Sequence, residues 1–240
     1  MINQIAEDRR KAVTEYLEGF VSEERKRKLK QVLKERTRHI TVMLENIYQP
    51  HNASAVLRSC DGFGIQDVHI VENSNEFSMS KGVTIGADKW ITKYRYNKED
   101  NGIENTEQCL SNLKDQGYRL LATTPHSEDV NIQDMDVRQK TALLFGTELE
   151  GLSARALEMA DGYVKIPMYG FSESLNLSVS AAICLSYISQ KIRNDGAEVN
   201  WQLDDHEKED LYLQWLIKSV REPELLLTRF KKENMPDAKL

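Results

Sequence analysis

Along this chain the spacing of apolar positions changes character twice. The first 36 residues carry helical spacing, with a break near Gly19 and Ser22, and Ser22 followed by Glu24 and Arg25 reads as a fresh helix start. Leu29, Val32 and Leu33 give that second helix a short apolar stripe. From "ITVMLENI" onward, short apolar runs alternate with amphipathic segments. The runs at 39–45, 67–72, 89–96, 118–124, 141–146 and 162–167 predict strands. Segments 52–62, 104–116 and 153–160 predict helices, as does a longer and more apolar one at 176–192. Strands alternating with helices predict an α/β fold on a mostly parallel sheet.

Past "NDGAEVN" (194–200) the strand pattern ceases. Asp204 to about Lys232 predicts helix, with Leu211, Leu213, Trp215 and Leu216 on or near one face, and Pro223 opens a second short helix. The expected organisation is a basic helical arm (1–38), an α/β core (39–193) and a helical tail (194–240).

Composition adds limits. The chain has 240 residues, enough for one sizeable domain with extensions, and 40% hydrophobic against 29% charged residues is ordinary for a globular protein. No apolar run reaches a membrane span, and the N-terminus lacks a signal-peptide apolar region. Cys60, Cys109 and Cys184 show neither metal-ligand spacing nor a disulfide framework, so the expectation is a reducing, cytoplasmic setting without a metal.

The formal net charge of −6 is unevenly spread. Residues 1–38 hold 11 Lys/Arg against 7 Asp/Glu, and "RKRKLKQVLKERTR" (25–38) concentrates Arg25, Lys26, Arg27, Lys28, Lys30, Lys34, Arg36 and Arg38. Such a run is either a solvated helix face or an arm that grips phosphates.

Several chemistries are excluded by motif. There is no phosphate-binding G-x-x-x-x-G-K-[ST], no G-x-S-x-G and no H-E-x-x-H. "GFGIQD" (62–67) ends a helix and enters a strand, the reverse of a dinucleotide fingerprint.

Four segments remain. In "QPHNASAVLRSCDGFG" (49–64), Asn52 stands where a helix N-cap belongs, and Ala53, Val56, Leu57 and Cys60 form the buried stripe. Ser54, Arg58 and Asp61 fall on the opposite face, where Arg58 is either an Asp61 partner one turn away or a ligand-holding group. "LLFGTELEGLS" (143–153) runs from a strand into a glycine turn carrying Glu148, with Gly146 and Gly151 permitting close approach to backbone amides. That turn reads equally as a plain loop with an exposed glutamate. "VKIPMYGFSESLNLSVSAA" (164–182) places Ser174 or Asn176 at a helix cap. "LLATTPH" (120–126) ends a strand in a small polar rim.

Together these segments resemble the SPOUT superfamily of RNA methyltransferases, in its TrmH branch of tRNA guanosine 2′-O-methyltransferases, over roughly Lys26 to Arg193. The resemblance implies a parallel sheet flanked by helices whose C-terminal part is tied in a deep trefoil knot, against a strong base rate. It implies S-adenosylmethionine held by Thr123 and Thr124, by Phe145 through Gly151, and by Ile166 through Leu175, with Ile166, Met168 and Leu175 as apolar walls. It implies a homodimer with the active site at the subunit interface, the 176–192 helix being a candidate for that packing. Arg58 is then the central catalytic residue, Asn52 its orienter, and Glu148, Ser174 and Asn176 position the nucleotide or Arg58. Because a guanidinium stays protonated, clamping a phosphate and stabilising the alkoxide suit Arg58 better than accepting a proton.

The basic arm and the tail would grip tRNA, with guanosine 18 of the D-loop as the expected target. Ribosomal RNA is the alternative substrate, although such relatives usually add an N-terminal α/β domain that 38 helical residues cannot form. A non-catalytic RNA-binding protein of the same fold is a further alternative. The stretch "MINQIAEDRRKAVTEYLEGF" exceeds the compact members of the branch.

Overall fold

A computed structural model describes residues 5–97, 104–125, 130–194 and 199–234. They form two units, one of Thr37–Gln202 and one that joins the residues up to Arg36 with those from Leu203 onward. The rim segment 120–126 therefore ends in a residue, His126, that lies outside those described, as do residues 1–4 of the N-terminal extension and 195–198 of the stretch after the core.

Among the described residues the larger unit has seven strands: β1 (Ile40–Glu45), β2 (Asp67–Val71), β3 (Thr92–Tyr96), β4 (Arg119–Thr123), β5 (Val130–Asn131), β6 (Thr141–Phe145) and β7 (Gly162–Lys165). Their order is β3-β2-β1-β6-β4-β7-β5, and each neighbouring pair is parallel. Every residue of β1, β2 and β6 is buried, as expected of central parallel strands covered on both faces.

Alternation along these strands supplies two cores. Val42, Leu44, Leu143 and Phe145 face one, with residues of the helices Pro50–Gly62 and Leu177–Asn194. Met43, Ala142 and Leu144 face the other, with residues of Asn105–Asp115 and Ala154–Met159. Because all strands run one way, their C-terminal ends open into loops along one edge of the sheet, where open α/β sheets bind ligands. The chain enters and leaves this unit at one place: Thr37 forms an antiparallel bridge with Gln202 and its hydroxyl donates to the Trp201 carbonyl.

In chain order the helices are α1 (Arg10–Glu18), α2 (Glu23–Leu33), α3 (Pro50–Gly62), α4 (Lys81–Thr84), α5 (Asn105–Asp115), α6 (Ala154–Met159), α7 (Leu177–Asn194), α8 (Asp205–Ser219) and α9 (Pro223–Asn234). Among the described residues no helix is long and apolar enough to cross a membrane.

Four local expectations change. Helix α3 opens at Pro50 with Gln49 as its N-cap, so Asn52 lies inside the first turn and is not the cap, because proline's fixed φ pre-organises an earlier start. Ser54 is buried rather than on the polar face, its Oγ accepting from the Ser80 N–H at 2.8 Å. The strand expected from residue 89 starts at Thr92, since Ala87–Lys89 forms a tight helical turn after Gly86 at φ +81°. Strand β5 is only two residues long and leaves no periodicity to read.

The chain ends, which in sequence read as a separate arm and tail, pack together in the smaller unit. Val13 and Leu17 of α1, Leu29 and Leu33 of α2, Leu211 to Leu213 and Trp215 to Ile217 of α8, and Phe230 of α9 are buried. Ser22 caps α2 as expected, accepting from the Arg25 N–H. The Tyr212 hydroxyl donates to Glu18 at 2.6 Å and Lys30 pairs with the same carboxylate at 2.8 Å. The bond from Lys30, helped by Tyr212, holds Glu18 below the usual carboxylate range.

The basic run does not all face solvent. Arg36 is 1% exposed and lies over the Trp215 ring, so it belongs to the helical core. Arg38 belongs to the larger unit, paired with Asp67 at 2.9 Å. Lys26 pairs with Glu23. Arg25 is half-buried, whereas Arg27, Lys28, Lys30 and Lys34 are exposed.

His69 of β2 gives a pH-dependent test of the fold. Its ring is 2% exposed and stacks on Tyr94 at 4.8 Å, and burial pushes its pKa down to about 4. The folded state therefore binds fewer protons than the unfolded chain between pH 6.5 and 4, and stability falls as pH falls through that window. The His69 contribution amounts to about 2 kcal/mol by pH 5. Urea midpoints of wild type and His69→Phe, compared at pH 7.5 and 5, should converge on acidification; a parallel decline would refute the assignment.

Candidate functional site

A cavity of about 370 Å³ lies at the C-terminal ends of β4, β6 and β7. It is lined by residues from three loops that the sequence separates widely, and it contains Thr123, Thr124, Gly146, Gly151, Ile166, Met168 and Leu175 together. Phe145, Val164, Leu177 and Cys184 supply apolar wall. Burial pushes the Cys184 thiol up to about 12, so this sulfur is a neutral wall atom rather than a nucleophile.

The turn from Gly146 to Gly151 owes its shape to its glycines. Thr147 and Gly151 exchange N–H···O bonds at 3.0 Å each, and the Glu150 N–H donates to the Thr147 hydroxyl at 3.0 Å. This closes the turn so tightly that a Cβ on Gly146 would stand 2.0 Å from the Gly151 carbonyl oxygen. Gly151 itself has φ +72°, a conformation open to glycine at little cost. On the neighbouring strand the Thr123 hydroxyl donates to the Leu144 carbonyl at 2.8 Å, and the Thr124 N–H donates to Val164 at 3.0 Å.

Electrostatically the cavity is one-sided. Glu148, Glu150 and Glu173 line it, and among the described residues no lysine or arginine does. Such a wall favours a ligand with positive charge and disfavours a phosphate. Among the described residues no group of three or more His, Cys, Asp or Glu could hold a metal ion.

Beside the cavity, the three sequence motifs meet in one chain of hydrogen bonds. Asn176 donates through Nδ2 to Glu148 Oε1 and to Asn52 Oδ1, the latter at 3.2 Å. The Leu177 N–H also donates to Glu148, at 3.3 Å. Asn176 caps α7 as well, its Oδ1 accepting from the Ser178 N–H at 2.9 Å and from the Ser178 hydroxyl at 2.6 Å. Asn52 donates in turn to Gln49 Oε1 at 2.7 Å. Gln49 escaped the sequence reading; its place before Pro50 was the available signal. Ser174 lies on the cavity wall with Leu175.

Arg58 stands apart. It is exposed, it is not on the cavity wall, and among the described residues it has neither the ion pair with Asp61 that its spacing allows nor any hydrogen bond. Six helical residues set Asn52 and Arg58 about 120° apart around α3. Asn52, buried and bonded to Gln49 and Asn176, therefore does not orient the arginine of its own chain.

Comparison with known proteins adds an independent line. The SpoU rRNA Methylase family matches residues 39–186. A tRNA (guanosine(18)-2′-O)-methyltransferase of Borreliella burgdorferi is 36% identical over 205 residues, covering 85% of this chain and 90% of its own length. Among solved structures, an Aquifex aeolicus TrmH/SpoU tRNA modifying enzyme superposes with a TM-score of 0.72 at 29% identity, covering 83% of this chain and 98% of its own. The SpoU methyltransferase AviRb of Streptomyces viridochromogenes, solved with AdoMet, superposes with a TM-score of 0.56 at 25% identity, covering 69% of this chain and 65% of its own.

Proposed function

The chain belongs to the SpoU rRNA methylase family, and from that premise we propose that it methylates a ribose 2′-hydroxyl in tRNA, at guanosine 18 of the D-loop, with S-adenosylmethionine as methyl donor. The observation that carries the reading is the convergence of Asn52, Glu148 and Asn176 beside a glycine-closed, carboxylate-lined cavity. The site in this reading lies among the loops of a trefoil knot, and the protein works in the cytoplasm.

The residues fit the cofactor. Gly146 and Gly151 leave backbone where a side chain would otherwise stand, Ile166, Met168 and Leu175 offer an apolar wall, and the three carboxylates suit a sulfonium. When bound, S-adenosylmethionine supplies an activated methyl group. The task left to the protein is to hold the ribose oxygen in line and ease its proton away. Ser174 and the Glu148–Asn176 pair position the nucleotide at the rim.

Arg58 clamps an RNA phosphate and stabilises the developing alkoxide. Left facing solvent by its own chain, it is available to the site of a second copy, which supports a homodimer with the active site at the interface. On the helical unit, Arg27, Lys28, Lys30 and Lys34 present charge to tRNA, with Arg25 and Lys26 on the same helix and Arg36 in the helical core, while Arg38 pairs with Asp67 in the larger unit.

The deciding experiment incubates purified protein with labelled S-adenosylmethionine and separate tRNA and ribosomal RNA pools, then maps the modified nucleotide. Label at a D-loop 2′-O-methylguanosine supports the reading; label confined to ribosomal RNA overturns it. Within the site, Glu148→Gln is expected to lower kcat/KM about tenfold, because the bonds from Asn176 and Leu177 lose their charged acceptor. Unchanged turnover would make Glu148 an ordinary loop carboxylate.

A further inference from the structure

Glu45 closes β1, and it is 1% exposed. Every group that reaches its carboxylate donates to it. Ser153 does so twice, from its N–H to Oε2 and from its hydroxyl to Oε1, both at 2.8 Å. The Thr106 hydroxyl donates to Oε1 at 2.6 Å. Among the described residues no lysine, arginine or histidine pairs with it. A buried carboxylate without a cation is costly unless donors surround it, and a hydrophobic residue would serve the strand's packing as well.

What the charge reaches explains its presence. Ser153 directly follows Gly151 and Leu152 of the cavity wall, and its hydroxyl accepts from the Ala156 N–H as the N-cap of α6. The turn that closes on Gly146 is thus held upstream by β6 and downstream by Glu45 through Ser153. Thr106, on α5, shares Oε1 with the Ser153 hydroxyl and also accepts from Asn73 Nδ2 at 2.8 Å.

We propose that Glu45 is a positioning residue for cofactor binding, a buried charge that fixes the exit of the 146–152 turn. The inference rests on the assignment of that cavity to S-adenosylmethionine. Glu45 touches neither cofactor nor RNA and acts through Ser153.

The test measures S-adenosylmethionine Kd by calorimetry, KM for tRNA, and Tm in wild type, Glu45→Gln, Ser153→Ala and Thr106→Val. Glutamine keeps the volume but removes the charge and one of the two acceptor oxygens. Glu45→Gln and Ser153→Ala are expected to weaken cofactor binding about tenfold with KM for tRNA within about twofold of wild type. Thr106→Val should lower Tm and leave cofactor Kd unchanged. If all three variants lower Tm while binding cofactor normally, or if Thr106→Val weakens it as much as the others, Glu45 is structural only and the proposal falls. Should Glu45→Gln fail to fold, Ser153→Ala decides by the same criteria. A wild-type chain that binds no S-adenosylmethionine would overturn the cavity assignment and this inference together, whereas normal wild-type binding with unshifted variants overturns this inference alone.

Discussion

Arg58→Lys is expected to cut the rate of methyl transfer by about a hundredfold or more, with S-adenosylmethionine affinity unchanged. The separation of effects follows from geometry: Arg58 is exposed on α3 and absent from the cavity wall, so its replacement leaves the lining of its own chain's cavity intact. Lysine keeps the positive charge, so simple attraction to RNA survives. What is lost is the planar, two-pronged donor set that matches a phosphate and a neighbouring oxyanion at once. Single-turnover rates with tRNA, beside calorimetric cofactor binding, read the two effects independently. A rise in KM with kcat preserved would reduce Arg58 to a general RNA contact, and a near-wild-type rate would sink the bidentate argument.

Gly146→Ala should abolish useful cofactor binding, weakening it by more than about a hundredfold. The new Cβ would meet the Gly151 carbonyl oxygen at 2.0 Å and its carbon at 2.1 Å. Both are backbone atoms, so no rotamer change relieves the contact, and the reciprocal Thr147–Gly151 bonds must break to admit the methyl group. Gly151 is the informative contrast. Its added Cβ meets nothing within 4 Å, and only its positive φ opposes substitution, at a cost of about 1–2 kcal/mol. Gly151→Asn, which tolerates that conformation better, should retain most binding. Calorimetry with far-UV circular dichroism as a folding control tests both variants. Wild-type affinity in Gly146→Ala would show that the turn opens freely and that its closure does not shape the site.

Much of this arrangement was legible in the chain. Strands β1 and β6 announced themselves because central parallel strands are apolar on both faces, and Ser22 because a side-chain cap is a local event. Residues whose role depends on distant partners were not legible. Arg36 and Arg38 look like any other members of a basic run until Trp215 and Asp67 arrive beneath and beside them. Periodicity gives α2 and α8 an apolar face each, but it carries no information about which face meets which, so the joining of the end helices in one unit could not be read. Asn52 has the side chain of a cap, but Pro50 two residues earlier sets the start of the helix and makes Gln49 the N-cap. The site's residue set came from the resemblance of three motifs; spacing alone left Arg58 and Glu148 between surface charge and ligand contact. Glu45 carries a legible signal, the one charged residue of its strand.

The bridge between Thr37 and Gln202 has a consequence for the order of folding. Before the sheet forms, bringing α2 to α8 means closing a loop the length of the whole α/β unit, with the corresponding loss of chain entropy. Once the sheet is complete, its entry and exit are pinned side by side, and the remaining closure spans only the few residues that lead from them to the two helices. Completion of the sheet therefore lowers the entropic cost of assembling the helical unit. During synthesis α1 and α2 precede α8 and α9 by the whole α/β unit, so their apolar faces stay without those partners until that unit has been made.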